Sequence, residues 1–366
     1  MRGRRGQVRF VIASVAIIAA LGLVELVLRI AFGPSATEVL RGLHRARPDR
    51  PWLYELVPGQ ARRDPSTPEV TYVINADGFR DRTYARPKPR GTFRLTLIGD
   101  SLTFGYGVAF EETFAKQVEL RLGQLASGAP YEVLNLGVSG YNPYTEAELL
   151  QEVILGYQPD LVLVQFCIND LNDPTLHFDA STMLALGAIP DAAFPDPAAR
   201  AARPDAVGAA PDGLFARLCG ASRLCSRVAD ALSPATARED LVAALAPHES
   251  PSDRELAWLE RLYRRMADDT RARGGQLAVV VFPWSTQIAG DGPAPLQKAL
   301  AELGTRTGIL VIDLLPAFRA AAAESPEPPL FLDLWHPTAR GHAVAADAIV
   351  RALACARMLP GVAADC

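Results

Sequence analysis

From residue 93 onward, short apolar runs alternate with segments whose apolar residues recur every three or four positions. "FRLTLIG" (93–99), "YEVLNLG" (131–137), "PDLVLVQFCIND" (159–170), "GQLAVVVFP" (275–283) and "GILVIDL" (308–314) read as strands. "TFAKQVELRLGQL" (113–125) and "YTEAELLQEVILGY" (144–157) have helical spacing, as do stretches near 213–246, 252–274, 294–307 and 338–357. The run at 159–170 is apolar almost without interruption, as expected at the centre of a parallel sheet covered on both faces. Five strands alternating with helices imply an α/β fold, a three-layer α/β/α sandwich around a five-stranded parallel sheet. Ligands of such sheets sit at the carboxyl ends of the strands.

The pattern breaks in two places. Residues 172–212 are rich in Ala, Pro and Asp, and the whole of 172–274 reads as an insertion into the 71–358 domain, with 359–366 as a C-terminal tail. Upstream, "VTYVINADGFRD" (70–81) reads as a short strand closing on an Asp-Gly turn. Residues 33–70 carry prolines and mixed charge without periodicity and read as a stalk.

The first nine residues hold four arginines and no acid, and Phe10–Val24 is apolar apart from Ser14. Fifteen helical residues reach about 22 Å, short of the roughly 30 Å hydrocarbon core. Extension through residue 32 supplies the length, because Glu25 and Arg29 lie one turn apart and can pair near the far interface. Residues 10–32 are therefore expected to be a single-pass transmembrane anchor behind a cytoplasmic basic segment (1–9). A cleaved signal peptide is the alternative, weighed below it because the apolar pattern continues past "ALG" (20–22). Either reading sends the remainder across the membrane, since the arginines stay on the cytoplasmic side.

A net charge of −4, with no basic run beyond the first nine residues, argues against nucleic acid as a partner. Among the five cysteines, Cys219/Cys225 and Cys355/Cys366 are spaced to close small local loops in an oxidising compartment. Cys167 is left alone within a strand. No CxxC or Cys/His grouping suggests a metal site, and no cofactor is implied.

The strand ends carry the chemistry. The first strand runs into Gly99-Asp100-Ser101, the second into Gly137, the third into Asn169-Asp170, and "FLDLWHPTARGH" after the last strand places Asp333 three residues before His336. Taken alone, Ser101 is as well explained as a helix cap, and Gly137 as a turn residue. Taken together, they put a hydroxyl, a glycine, a carboxamide and an acid–imidazole pair on one rim. A serine hydroxyl needs an adjacent general base to attack an ester. His336 can take that proton if a carboxylate, here Asp333, holds its other nitrogen. The N–H groups of Ser101 and Gly137 and the amide of Asn169 are candidate oxyanion donors. Asp100, Asp170 and His342 are assigned structural roles.

These blocks resemble the SGNH hydrolases, the GDSL-type esterase and lipase superfamily. "GDSLT", "NLGVSGYN" and "DLWHP" match three of its blocks, and Cys167-Ile168-Asn169-Asp170 stands where the third block has Gly-x-Asn-Asp. "NADGFRD" is similar to a segment of membrane-anchored bacterial members, with no chemistry assigned to it. The resemblance implies a flavodoxin-like sheet, a Ser101–His336–Asp333 triad, an oxyanion hole of Ser101, Gly137 and Asn169, and no cofactor or metal. It further implies an extracytoplasmic serine esterase acting on a small-molecule or glycan-linked ester. The alternatives are an O-acyltransferase on a cell-envelope polysaccharide or, below that, a silent glycan-binding protein.

Overall fold

Five parallel strands, β5 (Phe93–Ile98), β6 (Tyr131–Asn135), β7 (Leu161–Phe166), β8 (Gln276–Val281) and β9 (Leu310–Asp313), lie in the order β6-β5-β7-β8-β9 in the computed structural model. The structure describes residues 2–31, 39, 42–171 and 250–366, apart from 48, 53, 65, 68, 127, 129, 290, 291, 293, 364 and 365. The chain moves one way from β5 to β6, then jumps back over β5 to β7 and continues in the other direction. Right-handed crossovers put the helices of the two directions on opposite faces of the sheet.

One face is covered by α3 (Phe114–Leu125), α7 (Leu315–Glu324) and α8 (Ala339–Cys355), packed on Leu95, Leu97, Leu161, Leu163 and Val280. The other is covered by α4 (Pro143–Glu152), α5 (Asp253–Ala272) and α6 (Pro295–Thr307), packed on Ile98, Val162, Val164, Val279 and Val281. Alternate residues of each strand thus face opposite layers, as a period of two requires. All six residues of β7 are buried, which accounts for its unbroken apolar run.

The stalk expected over residues 33–70 is corrected by the structure. Strands β1 (His44–Ala46) and β2 (Tyr54–Leu56) form one antiparallel hairpin, and β3 (Ala61–Arg63) and β4 (Thr71–Val73) another. Val39, Leu43, Trp52, Tyr54, Leu56 and Tyr72 are buried in the same core as α4 and α5. Strands of three residues show too little alternation to register as a pattern. The insertion is likewise narrower than 172–274, because Asp253–Ala272 is the crossover helix that the parallel β7–β8 pair needs. The helical stretch near 213–246 and Cys219/Cys225 lie outside the described residues.

Residues 10–31 of the expected anchor belong to a single helix, α1 (Arg2–Ala31), with Ile12, Val15, Ile17, Leu21, Leu23 and Leu26 exposed. Among the described residues no helix is long and apolar enough to cross a membrane. At the other end of the chain Cys355 and Cys366 form a disulfide, and Cys167 is buried.

Candidate active site

Strand β5 ends at the switch point of the sheet, where neighbouring strands continue in opposite directions and a crevice opens at their carboxyl ends. The next residues form a four-residue helix, α2 (Ser101–Phe104). Asp100 caps it, its Oδ1 accepting from Leu102 N at 2.9 Å. Its own N–H donates to Gln165 Oε1 of β7, which also takes the Thr103 hydroxyl, both at 3.1 Å. The cap is thus supplied by the aspartate, and the Ser101 hydroxyl turns to another partner.

That partner is His336, whose Nε2 lies 2.9 Å from Ser101 Oγ. His336 sits in the loop between α7 and α8, a tight turn closed by Leu332 N donating to His336 O at 2.8 Å and Thr338 N to Leu330 O at 3.0 Å. Asp333 organises this turn. Its Oδ1 accepts the backbone N–H groups of Trp335 (3.0 Å) and His336 (2.9 Å), and its Oδ2 lies 2.6 Å from His336 Nδ1. Burial by itself would raise the Asp333 carboxyl. The His336 side chain and the two amides outweigh it and hold the group below the usual carboxylate range. A carboxylate facing Nδ1 fixes the proton there and leaves Nε2 as an acceptor for the serine hydroxyl. The ring of Tyr106 packs against His336 at 4.7 Å between centroids, a contact that no sequence spacing signals.

The oxyanion candidates fare unevenly. Gly137 is buried, and its N–H donates to Asn135 Oδ1 at 3.2 Å, so the amide is occupied within its own loop. Glycine is needed there for packing: a Cβ would lie 2.5 Å from Phe104 N and 2.6 Å from Thr103 Cβ of α2. Among the described residues the N–H groups of Ser101 and Gly140 have no acceptor. Gly140 is half-exposed, at φ +86°, three residues further along the same loop. Asn169 lies in the 3-10 turn Ile168–Leu171 that follows β7, and its side chain lies outside the described residues.

A family model for the GDSL-like lipase/acylhydrolase family matches residues 97–344, well over half of the chain and including Ser101, Asp333 and His336. The chain belongs to this family. It is a serine ester hydrolase of the GDSL/SGNH type. No curated protein matches it in sequence. Among solved structures, an acetylxylan esterase from Geobacillus stearothermophilus, in a catalytic-mutant form, is 16% identical with a TM-score of 0.42, covering 71% of this chain and 94% of its own. A member of the lipolytic G-D-S-L family from Veillonella parvula is 11% identical with a TM-score of 0.39, over 70% of this chain and 96% of its own. An α/β hydrolase from the metagenome of Lake Arreo, Spain, is 16% identical with a TM-score of 0.41, over 72% and 95%.

The structural assignments within this GDSL hydrolase follow from its hydrogen bonds. Asp170 Oδ2 accepts Cys167 N at 2.8 Å and closes the turn after β7, while Cys167 Sγ lies 3.4 Å from Asp100 Oδ2. His342 is fully buried, and its Nδ1 accepts Phe114 N at 3.1 Å. "NADGFRD" proves to be a hub. Asn75 Oδ1 accepts Asp77 N (3.0 Å) and Phe79 N (2.9 Å), and Asp81 takes the buried Lys116 ammonium at 2.9 Å and Asn135 N at 2.6 Å. Burial pushes the Asp81 carboxyl up, against the pull of Lys116.

Proposed function

We propose that the protein is an extracytoplasmic serine esterase that cleaves a carboxylic ester through an acyl-enzyme intermediate. The observation that carries this reading is the unbroken line from Asp333 Oδ2 through His336 to Ser101 Oγ, at 2.6 and 2.9 Å. His336 Nε2 takes the Ser101 proton as Oγ attacks the ester carbonyl, and Asp333 stabilises the imidazolium that forms. His336 then gives the proton to the departing alkoxide, releasing the alcohol. Water, deprotonated by the same nitrogen, attacks the acyl-enzyme and frees the acid.

The tetrahedral intermediate needs donors aimed at its oxyanion, each worth roughly 3–4 kcal/mol of barrier. Ser101 N–H and the Asn169 amide take this role. The second loop contributes Gly140 N–H rather than Gly137 N–H, since the latter already has an acceptor. The anchor reading draws on residues 10–32, with Glu25 and Arg29 one turn apart, and on the exposed apolar side chains of α1, which water alone would not favour.

A fluorophosphonate probe tests the nucleophile: the full chain is labelled and Ser101→Ala is not. Equal labelling of the two, with both folded, sinks the assignment. Supplying an acetyl donor with and without an acceptor glycan separates hydrolysis, which leaves the glycan unmodified, from transfer, which adds acetate to it. A C-terminal alkaline phosphatase fusion tests the location and is expected to be active; a fluorescent cytoplasmic reporter at the same position would refute it.

A further inference from the structure

Arg80 is among the largest fully buried side chains in the protein, at 1% exposure, and among the described residues no carboxylate accepts a hydrogen bond from it. Burying an unpaired guanidinium is costly unless its donors are satisfied. Here Nη1 and Nη2 meet three backbone carbonyls in one short stretch, while Nε has no partner among the described residues. Nη1 donates to Phe104 O at 3.0 Å and to Gly105 O, and Nη2 donates to Val108 O at 2.7 Å. The guanidinium also lies over the Tyr72 ring (4.7 Å) and the Phe104 ring (5.3 Å). Burial lowers its pKa to about 10, so it is charged at neutral pH.

The clamped stretch is the C-terminal end of α2 and the turn after it. Gly105, at φ +81°, ends the helix, and its N–H and that of Tyr106 both donate to Ser101 O at 3.0 Å. The next residue, Gly107, donates its N–H to Tyr72 OH at 2.9 Å. Tyr106 itself carries the ring that packs on His336. One side chain therefore holds the turn that fixes both the Ser101 backbone and the wall behind the imidazole. A helix C-terminus is where a positive charge belongs, and a forked donor spans several carbonyls where an ammonium cannot.

We propose that Arg80 is a positioning residue for the hydrolytic site, its guanidinium fixing the 104–108 turn and through it the alignment of Ser101 with His336. The proposal rests on the reading of Ser101 as nucleophile.

Arg94 supplies the comparison. It is equally buried, but it bonds Glu132 Oε2 (2.8 Å) and Tyr157 O (2.6 Å) at the amino end of β5, remote from Ser101. The test measures kcat, KM and the rate of fluorophosphonate inactivation for full-length Arg80→Lys, Arg80→Gln, Tyr72→Phe and Arg94→Lys, well below their unfolding temperatures. Arg80→Lys is expected to lower kcat and the inactivation rate about 10- to 100-fold, with KM changed by no more than about threefold, and Arg80→Gln to lower them at least as far. Arg94→Lys is expected to lower the unfolding temperature and leave kcat within about twofold. An Arg80→Lys protein with wild-type kcat, or one whose loss matches only its unfolded fraction, overturns the proposal. If neither Arg80 variant folds, Tyr72→Phe decides, since it removes the acceptor for Gly107 N and leaves the charge in place: reduced kcat at unchanged KM supports the turn's role, and unchanged kcat overturns it. Labelling of Ser101→Ala would instead defeat the underlying assignment, whatever Arg80 does.

Discussion

His342 should make the fold acid-sensitive in a window set by its own burial. The imidazole is fully buried, stacked on Phe114 at 5.8 Å, with Nδ1 accepting a backbone N–H and Nε2 lacking a partner among the described residues. Burial first, then the electrostatic influence of nearby Arg80 and His336, pulls its pKa from 6.5 to about 3. Between those values the unfolded chain binds a proton that the folded chain refuses. The stability it contributes is therefore complete above pH 6.5 and is lost as the pH falls toward 3. Going from about pH 7.5 to about pH 5 should remove ~2 kcal/mol, since each pH unit below the unfolded pKa costs about 1.4 kcal/mol. His342→Gln keeps an acceptor for Phe114 N and has no titration in this range. Urea unfolding of both proteins at the two pH values gives the difference, with all carboxylates cancelling. A wild type that loses no more stability than the variant would refute the reasoning.

The remaining expectations concern the site and its supports. Asp333→Asn should reverse the imidazole tautomer and lower kcat by about 10⁴-fold, with little change in KM, in a p-nitrophenyl ester assay. Gly137→Ala should cost about 1–3 kcal/mol by driving a methyl group into α2; thermal unfolding measures it, and a fully stable variant would contradict the close approach at 2.5 Å. Lys116→Met leaves Asp81 buried without its cation and should cost about 3–5 kcal/mol in chemical denaturation. The double variant with Asp81→Asn should recover part of that loss.

The sheet was legible because its strands are runs of four to six mostly apolar residues, and because burial on both faces leaves the central ones nearly unbroken. The pairing of Ser101 with His336 and Asp333 was legible for a related reason, since strand ends in a parallel sheet share one rim. What escaped notice depends on contacts distant in sequence. Three-residue strands around Tyr54 and Tyr72 carry no periodicity, and their burial arises only when they meet the 139–141 loop and α2. Helix α7, opening on Leu315-Pro316 and built largely of alanine, has little apolar periodicity and was not among the expected helices. Gly137 and Gly140 are indistinguishable as letters; a hydrogen bond to Asn135 separates them. Arg80, in a motif with no visible chemistry, acquires meaning only once the 104–108 carbonyls are seen converging on it.

The burial of Val39 in the domain has a consequence for where the enzyme can work. Seven residues, 32–38, separate the end of α1 from the first core residue. Eight Cα–Cα steps from Ala31 to Val39 span no more than about 28 Å in any conformation. Were α1 held at a membrane, as the anchor reading has it, the catalytic domain would stay within that distance of the membrane surface. Esters carried by the bilayer surface or by polymers lying against it would then be within its range, and those borne by distant material would have to be brought to it.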